Sequence, residues 1–97
     1  ILTGALKDDE RATVVGTQTY GKGIMQYVLG LEDRVTGIQL TYCEYFTPNG
    51  NTVHKVGIAP DIVVEMPEEM EYADLELGDM NDPQLKAAWD EAVRLTK

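Results

Sequence analysis

The alternation of apolar and polar positions predicts short β-strands through the first two thirds of the chain. Sequences rich in charged residues, or in Pro, Asn and Gly, separate these segments and favour turns at residues 32–34 and 48–50. The predicted strands span residues 12–16, 24–31, 35–46 and 62–65. In the longest of them, alternate positions place four large side chains on one face: Ile38, Leu40, Tyr42 and Phe46.

Helical periodicity marks both ends of the chain. Residues 1–6 have apolar side chains at helical spacing but are too few to nucleate a helix, so we expect the end of a longer helix in a larger protein. Further along, Asn81 or Asp82 can cap a second helix, and Pro83 suits its first position. Trp89 lies on the apolar stripe of this helix, where we expect it to dock. The stripe comprises Leu85, Ala88, Trp89, Ala92 and Leu95.

Charge is distributed unevenly along the 97 residues, whose net charge is −9. Residues 1–60 contain six acidic and five basic residues, whereas residues 61–97 contain eleven acidic and three basic ones. Because phosphate backbones repel so acidic a chain, we expect no nucleic-acid partner, and the apolar runs are too short for a membrane span. The acidic residues before the second helix lack the spacing of a calcium loop, which indicates a solvated connector without a metal ion. They are Glu68, Glu69, Glu71, Asp74, Glu76 and Asp79.

The candidate chemistry lies in the glycine-rich segment GTQTYGKG, residues 16–23. It nearly matches the phosphate-binding loop G-x-x-x-x-G-K-[ST]. However, Gly23 stands where that loop needs a hydroxyl for magnesium, and the residues that follow favour a strand over a helix. We therefore expect no nucleotide cofactor. Lys22 is then either a solvated lysine on a flexible loop or an amine used in catalysis.

A lysine acts as a general base only where its pKa falls toward neutrality, as it does in apolar surroundings. Tyr20, Ile24 and Met25 flank Lys22 and are able to exclude water, and no carboxylate lies within nine residues of it. The flanking glycines let the backbone turn sharply and approach another segment closely. On composition alone, the solvated lysine on a flexible surface loop is still the more common interpretation, and a catalytic amine at Lys22 is the alternative.

Four other residues have structural interpretations. His54 follows a turn, and we expect it to be exposed. Cys43 lies on a predicted strand, where a small buried side chain is a better interpretation than a nucleophile; as the single cysteine, it excludes an internal disulfide. Tyr45 and Phe46 either line a substrate site or belong to the sheet core.

Five ordered motifs resemble those of the tail-specific, or carboxyl-terminal processing, serine proteases. The resemblance extends over nearly the whole chain, as far as the DPQL sequence at 82–85 and the amphipathic helix that follows it. The motifs are ATVVG at 12–16, TYGKG at 19–23 with Gln26, LT at 40–41, YFTPNG at 45–50 and VGIAPD at 56–61.

The resemblance implies a serine–lysine peptidase with a crotonase-like α/β core. Lys22 corresponds to the general base of the family, and Gln26 corresponds to a glutamine that orients this lysine. Because positions four apart on a strand are separated by about 13 Å, a direct contact between the two needs a bend, for which Gly23 is suited. The family's nucleophilic serine precedes the segment that matches residues 1–6. Since the chain contains no serine, we expect the fragment itself to be inactive.

The resemblance also implies a division of the chain, a substrate class and a location. Residues 1–65 correspond to the C-terminal portion of the peptidase catalytic domain, and residues 66–97 to an acidic connector and helix. The implied substrates are polypeptides with exposed C-terminal tails, processed in the periplasm or at the cell surface. The alternative function is a non-catalytic ligand- or peptide-binding module on the same scaffold. Truncation further predicts a homodimer in which two copies cover an exposed apolar sheet face.

Overall fold

The computed structural model describes residues 1–70 and 75–97 and has a mixed α/β composition. The α/β class, with mostly short strands and a C-terminal helix, is therefore confirmed. In chain order the elements are α1 (Leu2–Asp8), β1 (Val15–Gly16), β2 (Ile24–Gly30), β3 (Gly37–Glu44), β4 (Ile62–Val63) and α2 (Pro83–Leu95).

The chain forms two compact units. One consists of residues 1–12 and 19–58, and the other of residues 13–18 and 59–97. The first contains α1 and the β2–β3 hairpin, and the second contains β1, β4 and α2. The assignment of residues 1–65 to a peptidase domain stays a prediction.

The β2–β3 hairpin dominates the first unit. Its strands are antiparallel, with Tyr27 opposite Leu40 and Leu29 opposite Ile38, and a bulge between Met25 and Gln26 shifts the register. Tyr27 also stacks on Tyr42, with ring centroids 4.2 Å apart. The bulge lies just after the glycine-rich segment that contains Lys22. It changes which residues of β3 lie opposite the first residues of β2.

The hairpin turn is organised by one carboxylate. Asp33 accepts hydrogen bonds from the backbone amides of Val35 and Thr36, at 3.1 and 2.9 Å, and from the Thr36 hydroxyl at 2.6 Å. The Thr36 hydroxyl first, and then these amides, lower the pKa of Asp33 below its ordinary value of 3.8. The predicted turn at 32–34 is thus confirmed.

Helix α1 is attached to the loop that follows β3. The Asp8 carboxylate accepts a hydrogen bond from the Asn49 amide at 2.9 Å, and the Thr47 hydroxyl, followed by this amide, lowers the pKa of Asp8. Gly4 is buried, and a Cβ at this position would lie 3.0 Å from the Thr47 methyl group. Val53 supplies a buried apolar side chain behind this loop. Asp8 and Gly4 therefore both fix α1 against the loop through Thr47.

The second unit is built on a short parallel pair. Val15 of β1 lies opposite Ile62 of β4, and the Asp61 carboxylate accepts a hydrogen bond from the Val14 amide at 2.8 Å. Helix α2 packs on β1, and the Gln84 side chain donates to the Val64 carbonyl at 2.9 Å.

Helix α2 begins as its sequence predicts. Asp82 is the N-cap, and its carboxylate accepts hydrogen bonds from the amides of Gln84 and Leu85 at 2.8 and 3.1 Å. Pro83 occupies the first helical position. Trp89 is 60% exposed, so its docking role stays a prediction.

Three of the four predicted strands are shorter by two or more residues in the structure, and β2 ends one residue before its predicted end. The segment 12–16 forms a ladder only at β1, and the segment 62–65 only at β4. The segment 35–46 is regular only through β3, after which Phe46 forms an isolated bridge with Thr52 across the turn at 48–50. Apolar alternation marks residues with one buried face, but a ladder also requires a partner strand, which periodicity does not reveal.

No helix in the described ranges is both long and apolar enough to cross a membrane. Within the same ranges, His, Cys, Asp and Glu side chains form no group of three or more that would hold a metal ion. Glu71 and Asp74 of the predicted acidic connector lie outside the described residues.

Candidate active site

The segment that carries Lys22 is hydrogen-bonded to residues 53–58 over most of its length. The Thr19 amide donates to the Ile58 carbonyl at 3.0 Å, and the Ile58 amide donates to the Thr19 hydroxyl at 2.8 Å. The Lys55 amide donates to the Gly21 carbonyl at 2.9 Å. These bonds give the segment a defined path, which argues against the flexible loop considered from sequence.

Two glycines make this close pairing possible. A Cβ at Gly23 would clash with the backbone amide of His54, and a Cβ at Gly57 would clash with the Thr19 carbonyl. Gly57 also has a φ of 76°, in the left-handed region. The expectation that the glycines around Lys22 allow close approach to another segment is confirmed, and that segment is 53–58.

The end of β3 fixes the lysine from the other side. The Tyr45 amide donates to the Gly23 carbonyl at 2.9 Å, and the Tyr45 hydroxyl donates to the carbonyl of Lys22 itself. Backbone groups on both sides of the Lys22 side chain are therefore held, which fixes the point from which this side chain leaves the backbone. The place of Tyr45 on a predicted strand did not indicate this contact with the Lys22 backbone.

An open cavity of about 510 Å³ lies beside this segment. Lys22, Gln26, His54 and Lys55 all line it, together with Tyr20. The structure thus brings the two predicted site residues, Lys22 and Gln26, to one cavity. None of the residues that line it is acidic.

The expected apolar enclosure of Lys22 is wrong for this chain. Lys22 is exposed, Tyr20 is 94% exposed, and Met25 turns toward the Tyr42 hydroxyl and Cys43 thiol, which donate to its sulfur at 3.5 and 3.4 Å. Across the described residues the Lys22 side chain has no hydrogen-bond or ion-pair partner. Flanking apolar residues in sequence do not enclose a side chain unless the backbone turns them toward it.

Gln26 is held by β3. Its amide nitrogen donates to the Thr41 hydroxyl at 3.2 Å, and its amide oxygen accepts from the Gln39 side chain at 2.9 Å. These bonds fix the Gln26 side chain on one face of the hairpin, next to the cavity that Lys22 lines. The orientation of the lysine by Gln26 stays a prediction.

A second, apolar cavity of about 360 Å³ lies in the same unit. It is lined by Ile1 and Ala5 near α1, by Met25, and by Tyr45 and Phe46 after β3. Because Ile24 and Gln26 line the first cavity and Met25 the second, the start of β2 separates the two. Tyr45 and Phe46 therefore line an apolar cavity, and a role for them in a substrate site stays a prediction.

Two cavity residues were missed from the sequence. His54 was expected to be exposed, but it is half-buried, and its Nδ1 is shielded from solvent and has no hydrogen-bond partner among the described residues. Lys55 was not singled out. The available signal was the glycine-containing motif at 56–61, which indicates that the chain just before it approaches another backbone. Cys43, expected to be buried, is half-buried.

The family model and the individual proteins that this chain resembles indicate the same family. The model of peptidase family S41 matches residues 1–64. A carboxyl-terminal-processing protease of Synechocystis sp. is 46% identical over 90 residues, which cover 93% of this chain and 20% of that protein. A carboxy-terminal-processing protease of Bartonella bacilliformis is 43% identical over 81 residues, which cover 81% of this chain and 18% of that protein.

A solved structure is similar as well. The photosystem II D1 C-terminal processing protease matches with a TM-score of 0.58 and 41% identity, over 66% of this chain and 16% of that one. The chain therefore spans about a fifth of the length of the relatives it matches. The family match over residues 1–64, together with these relatives, shows that this chain belongs to peptidase family S41.

Proposed function

We propose that this chain is the base-bearing part of a serine endopeptidase that processes the C-terminal tails of proteins, with Lys22 as general base. The observation that carries the proposal is the placement of Lys22. Residues 53–58 and Tyr45 hold its backbone, while its amine has no partner among the described residues and borders an open cavity. A lysine that only stabilised the fold would be paired or packed.

In the proposed mechanism, the neutral Lys22 amine accepts the proton of a serine hydroxyl, and the serine oxygen attacks the scissile carbonyl carbon. The protonated amine then donates this proton to the leaving nitrogen as the carbon–nitrogen bond breaks. A water molecule, deprotonated by the same amine, attacks the resulting ester and releases the new C-terminal carboxylate. The proton then returns to the serine oxygen.

The proposed serine lies outside this sequence, which contains none. Since the chain spans about a fifth of the length of its relatives, we propose that the longer protein supplies the serine and the apolar cover that Lys22 lacks here. The isolated chain is then inactive. The crotonase-like core, with residues 1–65 as its C-terminal portion and residues 66–97 as connector and helix, belongs to the same proposal.

Gln26 is proposed to position the lysine. It lies four residues after Lys22 and lines the same cavity, while Thr41 and Gln39 keep its amide in place. Gln26 fixed in this way is able to accept a hydrogen bond from the amine in the complete site. Loss of this bond would weaken catalysis less than loss of the base itself.

The proposed substrates are polypeptides with exposed C-terminal tails, and the proposed location is outside the cytoplasm. Several relatives support the substrate class because they carry the name carboxyl-terminal processing protease. One relative is named as chloroplastic, and others come from bacteria. Fractionation of the source cells tests the location, and a purely cytoplasmic protein would contradict it.

The experiment that tests the function compares Lys22→Ala with wild type in the longer protein. The substrate is an unstructured polypeptide with an apolar C-terminal tail. We expect turnover to fall by at least about 10³-fold because the proposed mechanism assigns the serine proton to the Lys22 amine. Lys86→Ala is the matched control, since Lys86 is an exposed lysine paired with Asp90 on α2, and it should cleave like wild type.

Two outcomes would contradict this function. If Lys22→Ala cleaved as fast as wild type, the assignment of the base would be wrong. If the folded wild-type protein cleaved no polypeptide but still bound peptides, the non-catalytic binding module would replace the peptidase.

A further inference from the structure

The cavity beside Lys22 contains a second lysine, Lys55, that the proposed mechanism does not use. The chain has 17 acidic residues and eight basic ones, yet two of the basic residues line this one cavity, and no acidic residue does. The described residues provide no ion-pair or hydrogen-bond partner for the Lys55 amine. A cavity with this lining is locally positive in a chain that is strongly negative overall.

The backbone at Lys55 is unusual. Its φ is 61°, in the left-handed region that a side chain with a Cβ disfavours, and its amide is fixed to the Gly21 carbonyl at 2.9 Å. Glycine or asparagine would satisfy this turn with less strain. A lysine at a strained position on the wall of a cavity points to a use for its side chain.

The charge at Lys55 has a specific consequence for catalysis. A general base must lose its proton, and a substrate carboxylate near Lys22 would hold the proton on the amine. A second amine on the wall of the same cavity offers that carboxylate a different partner. Lys22 then stays available for the serine.

We propose that Lys55 is a specificity-determining residue that binds a carboxylate of the peptide beside the scissile bond. The proposal rests on the function proposed above. The carboxylate has two sources with the same chemistry: an Asp or Glu side chain of the substrate, or the C-terminal carboxylate that cleavage creates. Both are flexible anions small enough to enter an open cavity of this size.

Binding to this chain tests the proposal without any catalysis. Three peptides are titrated while the NMR signals of residues 21–22 and 54–55 are followed: a blocked hexapeptide with one central Glu, the same with Gln, and the Gln peptide with a free C-terminal carboxylate. We expect at least one of the two carboxylate peptides to bind about fivefold more tightly than the blocked Gln peptide. The difference should vanish in Lys55→Gln and persist in Lys86→Gln.

The outcomes are separable. Tighter binding of the Glu peptide assigns the site to a substrate side chain, and tighter binding of the free-acid peptide assigns it to the product. Equal binding of all three peptides, or discrimination that survives Lys55→Gln, would overturn the proposal.

Cleavage by the longer protein gives a second readout. We expect the ratio of kcat/KM for Glu over Gln substrates to fall about fivefold in Lys55→Gln. In Lys55→Glu the preference should reverse, so that a substrate with Lys at this position is cleaved faster than the one with Glu. An unchanged ratio would overturn a role in substrate choice. If Lys22→Ala left cleavage intact, the proposed base would fail while the binding result for Lys55 still stood.

Discussion

Gly23 lies where the Lys22 segment packs against residues 53–58 in the candidate active site. It follows Lys22 directly, its carbonyl accepts the Tyr45 amide, and its Cα faces the His54 backbone at a distance that leaves no room for a Cβ. The position of the candidate base therefore depends on the absence of a side chain at the next residue.

Replacement of Gly23 by alanine should push the 53–58 segment away. We expect Gly23→Ala to lower the free energy of unfolding by about 1–3 kcal/mol, because the backbone must shift to admit the methyl group. Gly30→Ala is the matched control, since a Cβ there has no atom within 4 Å, and it should change stability little. Urea unfolding of both variants measures the difference, and equal stability would refute the close approach.

At the scale of elements, the hairpin β2–β3 positions Gln26 and Tyr45, and the Asp33 carboxylate organises its turn. Three hydrogen bonds to Asp33 stabilise its ionised form, so the pKa of Asp33 in the folded chain lies below the unfolded value. Its contribution to stability is then complete above the unfolded pKa and is lost as the pH falls through the folded pKa.

The hairpin should therefore lose part of its stability in acid. We expect the difference in unfolding free energy between wild type and Asp33→Ala to be largest near neutral pH and to shrink as the pH falls below 3.8, the ordinary pKa. Glu32→Ala in the same turn is the control. Urea unfolding followed by NMR signals of β2 and β3 measures the effect, and a difference independent of pH would contradict the role of the charge.

At the scale of the whole molecule, one face of the hairpin is open and apolar. Its five large side chains are between 46% and 57% exposed: Tyr27, Leu29, Ile38, Leu40 and Tyr42. An apolar face of this kind favours association, which supports the predicted homodimer of the chain.

We expect light scattering to give twice the chain mass of 10.8 kDa at high protein concentration. Leu40→Lys should return the chain to a monomer, because it places a charge in the centre of the apolar face. Leu77→Lys, at an exposed apolar residue outside the hairpin, should not. A wild-type monomer at high concentration would exclude this dimer.

Local signals in the sequence predicted most of the elements and the position of the candidate base. Asp82 with Pro83 predicted the start of α2, and the charged turn at 32–34 predicted the hairpin, because caps and turns depend on hydrogen bonds between neighbours in the chain. The glycines around Lys22 predicted a close backbone approach, because the absence of a side chain is evident from the identity of a single residue.

Contacts between distant residues were decided only by the tertiary structure. It selected 53–58 as the partner of the Lys22 segment, paired β1 with β4, and placed His54 and Lys55 on the cavity wall. It also left Lys22 exposed, against the expectation from its apolar neighbours. The sequence of one segment determines its local conformation and shows that it must pair or pack. Which other segment it pairs with depends on how the whole chain packs.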